Sequence, residues 1–202
     1  NALGIKNILC ITGDSVKAGD QQETKAVHEF ESVRLLRQIQ AFNQGIDPTF
    51  EALADQRTNI FSGAAANPNL RNQRSLQSRT RQKKEAGANF LQTQMVMERN
   101  YLIEFCERIS KPLDIPVIAG VFLLKSYKNA LFINKYVPGA NIPEKILNRL
   151  KDAKDPLKEG IQIAAEQAKD FINIAEGIHI MAIKAEHLIP QIIEMADINL
   201  EY

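Results

Sequence analysis

The sequence predicts an α/β protein with a parallel sheet, on three observations. Short apolar or β-branched runs alternate with longer segments of helical period, the alternation recurs five times, and the runs read almost continuously apolar. Antiparallel neighbours need only short turns, whereas parallel ones need a crossover that is usually a helix. Strands covered on both faces lose the in-and-out alternation. Two architectures satisfy this pattern, a doubly wound open sheet and a (β/α)8 barrel. A full barrel takes about 250 residues, so the length of 202 residues by itself favours the open sheet.

The first run, NILCI at 7–11, ends in Thr12-Gly13-Asp14 and a polar loop. In VHEFESVRLLRQIQAF, 27–42, Phe30, Val33, Leu36 and Ile39 recur every three residues with Leu35 beside them. One buried helical face requires that spacing. Residues 43–58 form the longest irregular stretch, with a short helical turn around 50–54, and such excursions tend to be functional or variable surface. The second run, 59–66, leads into Asn67-Pro68. A highly charged helix with Leu76 and little else to bury follows over 70–86, and Gly87 can stop it. The third run, 89–94, precedes a helix at 98–109, and the fourth, 116–123, precedes helices at 127–136, 143–152 and 156–174. The fifth run is 177–183, and a helix over 186–195 closes the pattern. No internal repeat, low-complexity tract or linker divides the chain, so residues 1–202 read as one domain.

Composition narrows the function classes. A 45% hydrophobic, 24% charged chain is ordinary globular protein, and a formal net charge of +1 gives no overall field for nucleic acid or an anionic membrane. No run approaches the roughly 20 apolar residues of a membrane span, and no signal pattern stands at the start. A soluble, cytoplasmic protein is expected. Cys10 and Cys106 sit in apolar surroundings, away from metal-ligand or CxxC spacing, which suits reduced core thiols.

Polar residues follow each strand at its C-terminal end: Gly13-Asp14, Asn67, Thr93-Gln94 and Lys125-Ser126. That is the edge where parallel α/β proteins bind ligands. Each has a purely structural alternative. Asp14 can cap a turn, Thr93-Gln94 can satisfy neighbouring backbone, and Lys83 can be a solvated lysine on a charged helix. His28 and His187 read as surface residues, and His179, inside GIHIM, as a hydrogen-bonded core histidine. No GxGxxG follows a strand, and GxxxxGK[ST], GxSxG, HExxH and Cys/His clusters are absent. With no nucleophile and base pair, an enzyme here would borrow its chemistry from a cofactor.

Seven segments in order carry a resemblance: LGIKNILCITGD (3–14), VHEFESVRLL (27–36), GAAANP (63–68), KKEAGANFLQTQ (83–94), PVIAGVFLLKSYKNA (116–130), VPGANIPE (137–144) and GIHIMAIKAE (177–186). Together they resemble the methylenetetrahydrofolate reductases, flavoenzymes built on a (β/α)8 barrel. The resemblance implies that the strand ending in Gly13-Asp14 is the fourth barrel strand, so that the chain is an incomplete TIM-type barrel lacking about three N-terminal strands. Missing with them would be the glutamate that donates a proton to the folate, leaving this stretch inactive by itself. It also implies FAD as cofactor, NAD(P)H as reductant and a folate substrate.

Residue by residue, Asp14 matches the aspartate near the flavin ring and the pterin, the catalytic and ligand-binding carboxylate. Gly13 lies beside it at the cofactor. Lys83 matches a lysine that contacts the cofactor. Gln94 matches a substrate-binding glutamine, and Asn129 stands where some members have a second one. His28 occupies the place of an aromatic residue on the flavin side, Asn67 falls near a histidine of the cofactor loop, and Lys184 lies near an arginine close to the substrate. No metal is implied. A barrel short of strands would leave unpaired edges and uncovered interior, so a homo-oligomer or self-pairing is expected. The second functional reading is a barrel-derived domain that binds or assembles without catalysing.

Overall fold

The computed structural model describes residues 4–13, 31–46 and 57–199. Five strands form one parallel sheet: β1 (Asn7–Cys10), β2 (Phe61–Ala66), β3 (Phe90–Met95), β4 (Val117–Phe122) and β5 (Gly177–Met181). Their order in the sheet is their order in the chain. That order decides between the two architectures. A doubly wound sheet reverses its strand order at a switch point, whereas the wall of a barrel adds each strand beside the last. The five-stranded parallel sheet therefore has the arrangement of a TIM-type barrel, and the preference that length gave the open sheet does not hold.

Register shows which face is which. Cys10, Ala64, Leu91 and Val117 stand in one row across β1 to β4, all fully buried. This row lies under the helices: α1 (Ser32–Gln44) packs on β1 and β2, α2 (Gln73–Glu85) on β2, and α6 (Pro156–Phe171) on β4 and β5. The opposite face carries Leu9, Gly63 and Phe90 in one row and Ala65, Gln92, Ile118 and Gly177 in the next. It is only partly covered among the described residues, with Phe61 49% exposed and stacked on Phe90 at 5.5 Å. A side chain at Gly63 would run into the Phe90 ring, which is why this interior position is glycine.

The remaining helices are α3 (Arg99–Phe105), α4 (Tyr127–Tyr136), α5 (Glu144–Asp152) and α7 (Ile189–Met195). Sequence period extends the third helix to 109, but the regular α-helix ends at Phe105 and continues as a π turn, Cys106–Ser110, and a 3-10 turn, Lys111–Leu113. Pro112 cannot donate to a continuing α-helix, and wider winding keeps Cys106 and Ile109 buried. The second helix starts at Gln73 rather than 70, because the Asn72 side chain accepts from Ser75 N at 3.0 Å and caps it there. The first ends at Gln44, where Gly45 takes φ 79° and closes the C-terminus. Residues 27–30 of that helix and the turn expected at 50–54 lie outside the described residues. Both cysteines are free and buried, and burial pushes the Cys106 thiol up to about 11. No helix among the described residues is long and apolar enough to cross a membrane.

Candidate functional site

A cleft of about 410 Å³ opens at the C-terminal ends of β1 to β3. Its floor is strand: Leu9 and Ile11 from β1 and beyond, Ala65 from β2, Gln92 and Gln94 from β3, and Met181 from β5. One wall is α2, which presents Arg79, Thr80 and Lys83, and the loop after β2 contributes Asn67 and Leu70. Four residues singled out in the sequence, Asn67, Lys83, Thr93 and Gln94, are thus brought together.

Lys83 is half-buried, and its Nζ donates to Ala65 O at 2.6 Å, anchoring α2 to the end of β2. Desolvation lowers its pKa, the Arg79 guanidinium lowers it further, and Glu31 opposes both. Arg79 and Lys83 lie one turn apart on α2, and neither has a carboxylate within ion-pair distance among the described residues. Two cations one turn apart at a cleft suit an anionic group such as a phosphate.

Gln94 sits at an irregularity in the β3–β4 ladder. Its Oε1 accepts from Met95 N at 2.8 Å, while its Nε2 reaches Pro138 O only at 3.5 Å. The Thr93 hydroxyl accepts from Gly120 N at 2.8 Å and donates to Gln94 O. The two side chains therefore replace ladder hydrogen bonds that the bulge removes, and the Gln94 NH2, which spends one N–H on the long bond to Pro138 O, keeps its other N–H for the cleft. Asn67 Nδ2 and Asn69 Nδ2 both donate to Gly139 O, at 3.2 and 3.0 Å, and Asn69 Nδ2 also reaches Met95 O. This clamp ties the loops after β2, β3 and α4 into one rim. Gly139 has φ 76°, and a Cβ there would meet Asn67 Nδ2 at 2.1 Å, so the position needs glycine.

Other sequence candidates lie outside the cleft. Asn129 holds the start of α4: its Oδ1 accepts from Lys125 N, and its N donates to Ser126 Oγ. Lys184 is exposed at φ 57°, with its backbone N–H on Glu186 Oε1. Gly13 is exposed at φ 80°. Asp14 and His28 lie outside the described residues. Sequence reading passed over Arg79, Gln92 and the partner of His179. The available signals were the i, i+4 spacing of Arg79 and Lys83 and the polar alternation in QTQ, which puts Gln92 and Gln94 on one strand face.

A family sequence model described as Methylenetetrahydrofolate reductase matches residues 1–197. The chain belongs to the methylenetetrahydrofolate reductase family. No curated protein sequence matches it. Among solved structures it is similar to an uncharacterized protein from Clostridium thermocellum that binds two copies of 5-methyl-5,6,7,8-tetrahydrofolic acid, with TM-score 0.51 and 19% identity over 68% of this chain. The match covers 52% of that protein, so this chain spans about half its length. At that identity the likeness concerns the fold, and it agrees with the reductase-family barrel wall read from strand order.

Proposed function

We propose that the protein is a flavin-dependent methylenetetrahydrofolate reductase of the cytoplasm, reducing 5,10-methylenetetrahydrofolate to 5-methyltetrahydrofolate with NAD(P)H as reductant. The observation that carries the reading is the cleft at the C-terminal sheet edge, where Lys83, Gln94 and Asn67 of the family's segments meet. FAD, when bound, would supply hydride transfer from the nicotinamide to the folate.

The chain's own residues bind and orient. Lys83 and Arg79 fit the phosphates, and the second N–H of the Gln94 amide is left for an acceptor on the substrate. The Asn67–Asn69–Gly139 clamp fixes the rim on which a cofactor would rest. Asp14 is assigned the carboxylate beside flavin and pterin, with Gly13 and His28 on the cofactor side. Asn129 and Lys184 follow β4 and β5 on the same sheet edge and are assigned to the substrate. A barrel-derived domain that binds or assembles without catalysing is the second reading, and the similar structure that binds 5-methyl-5,6,7,8-tetrahydrofolic acid supports its binding half. The two outer strand edges, β1 and β5, are unpaired among the described residues, and we assign them to contact with a second copy of the chain.

Colour separates the two functional readings. Full-length reductase should purify yellow, be bleached by NAD(P)H without oxygen, and regain colour with methylenetetrahydrofolate. Lys83→Met should hold FAD about tenfold more weakly, the loss of one charge-assisted hydrogen bond. Colourless protein indifferent to FAD would defeat the reductase reading.

A further inference from the structure

Gln92 and His179 form a side-chain pair that no part of the proposed reaction uses. Gln92 Nε2 lies 2.9 Å from His179 Nδ1, a contact between β3 and β5 that passes over the intervening β4. The β4 residue in register with His179 is Gly120, so no side chain rises there between them. Gly120 is itself imposed by the β3 bulge, since a Cβ would stand 2.8 Å from Thr93 O and Gln94 O. Both partners are half-buried.

The chemistry of the pair assigns a proton. An amide NH2 only donates, so Nδ1 must be the acceptor, and in a neutral imidazole the hydrogen then sits on Nε2. No other described residue hydrogen bonds the ring. The ring's neighbours line the cleft: its partner Gln92 does, and so does Met181, two residues along β5 and therefore on the same face as His179. An N–H with no acceptor among the described residues, next to side chains that line a cleft, is free to donate to a ligand.

We propose that Gln92 holds His179 as the neutral Nε2–H tautomer, and that this N–H donates to a ring carbonyl or ring nitrogen of the heteroaromatic ligand in the cleft. His179 is then a ligand-binding residue and Gln92 its positioning residue. The ligand half of the assignment rests on the flavin and folate reading above. Both molecules offer such acceptors, and separate titrations distinguish them.

The test uses full-length protein labelled with nitrogen-15 in its histidines, of which this sequence has only three, with His179→Phe identifying the resonances of His179. Near neutral pH the wild type should show Nε2–H and a bare Nδ1, and Gln92→Met should convert this to a tautomer mixture. In titrations with FAD and, separately, with 5-methyltetrahydrofolate, His179→Phe should weaken one ligand about tenfold, as loss of one hydrogen bond predicts. His179→Gln, whose amide reaches the Nε2 position, should restore most of it. A spectrum with the proton on Nδ1, or with both nitrogens protonated, overturns the tautomer. Wild-type binding with His179→Phe unchanged for both ligands overturns the donor role alone, and a wild type that binds neither ligand overturns that role together with the reductase reading.

Discussion

Gly160 shows how tightly single positions are determined. It lies on α6 where the helix crosses the segment after β4, and a Cβ would stand 1.8 Å from Leu124 O. The obstacle is backbone, so the helix must move. Gly160→Ala should therefore destabilise the protein by about 2 kcal/mol, the range of overpacked cores, even though alanine favours helix. Denaturant melts of the two proteins check this, and equal midpoints would show that α6 can shift. The QTQ segment carries the same lesson for chemistry. Its alternation was visible in the sequence, but the division of labour was not: Thr93 and Gln94 Oε1 serve backbone, while Gln92 reaches a residue 87 positions away. Local pattern identifies which side chains share a face and cannot identify partners brought there by topology.

At the scale of elements, α5 and α6 are joined by Arg149, which donates to Glu159 Oε1 at 2.7 Å and bidentately to Glu166, at 2.6 and 3.1 Å. The Arg149 hydrogen bond is the main reason that the Glu166 carboxyl is held below its ordinary range. A carboxylate with a lowered folded pKa stabilises fully above its unfolded pKa and ceases to do so as pH falls through the folded value. The groups are about a third to a half exposed, so the pair is worth about 1 kcal/mol or less. Arg149→Met should lower the melting temperature at neutral pH, and the gap to the wild type should narrow as pH falls through the Glu166 transition and close once Glu159 is protonated as well. A gap between the two proteins that persists in acid would assign the effect to packing instead. Strand and helix positions were legible to within a few residues because apolar period is local. The π turn after Phe105 was not, since winding there answers to Pro112 and to the burial of Cys106 and Ile109 together.

For the whole molecule, the decisive fact was one that the sequence could not hold, the order of strands in the sheet. Length argued for an open doubly wound sheet, and the resemblance argued for a barrel. The observed order agrees with the barrel wall. Ile11, just beyond β1, is 57% exposed and Ile183, in the turn after β5, 61%, and six isoleucines in and around β5 line an apolar groove of about 490 Å³. Open edges and apolar surface of this kind favour association. The 202-residue chain should sediment as a dimer or larger at micromolar concentration, and a monomer at every concentration tested would remove self-pairing from the proposal.

The sequential strand order also has a consequence for how the protein is made. Among the described residues each strand pairs only with its predecessor and its successor in the chain, so each new pairing closes a loop of one crossover. Closure entropy is met in small instalments, and contact order stays low for a parallel protein. The sheet can grow in the direction of synthesis, one strand and its helices at a time, with the most recently added strand as the template for the next.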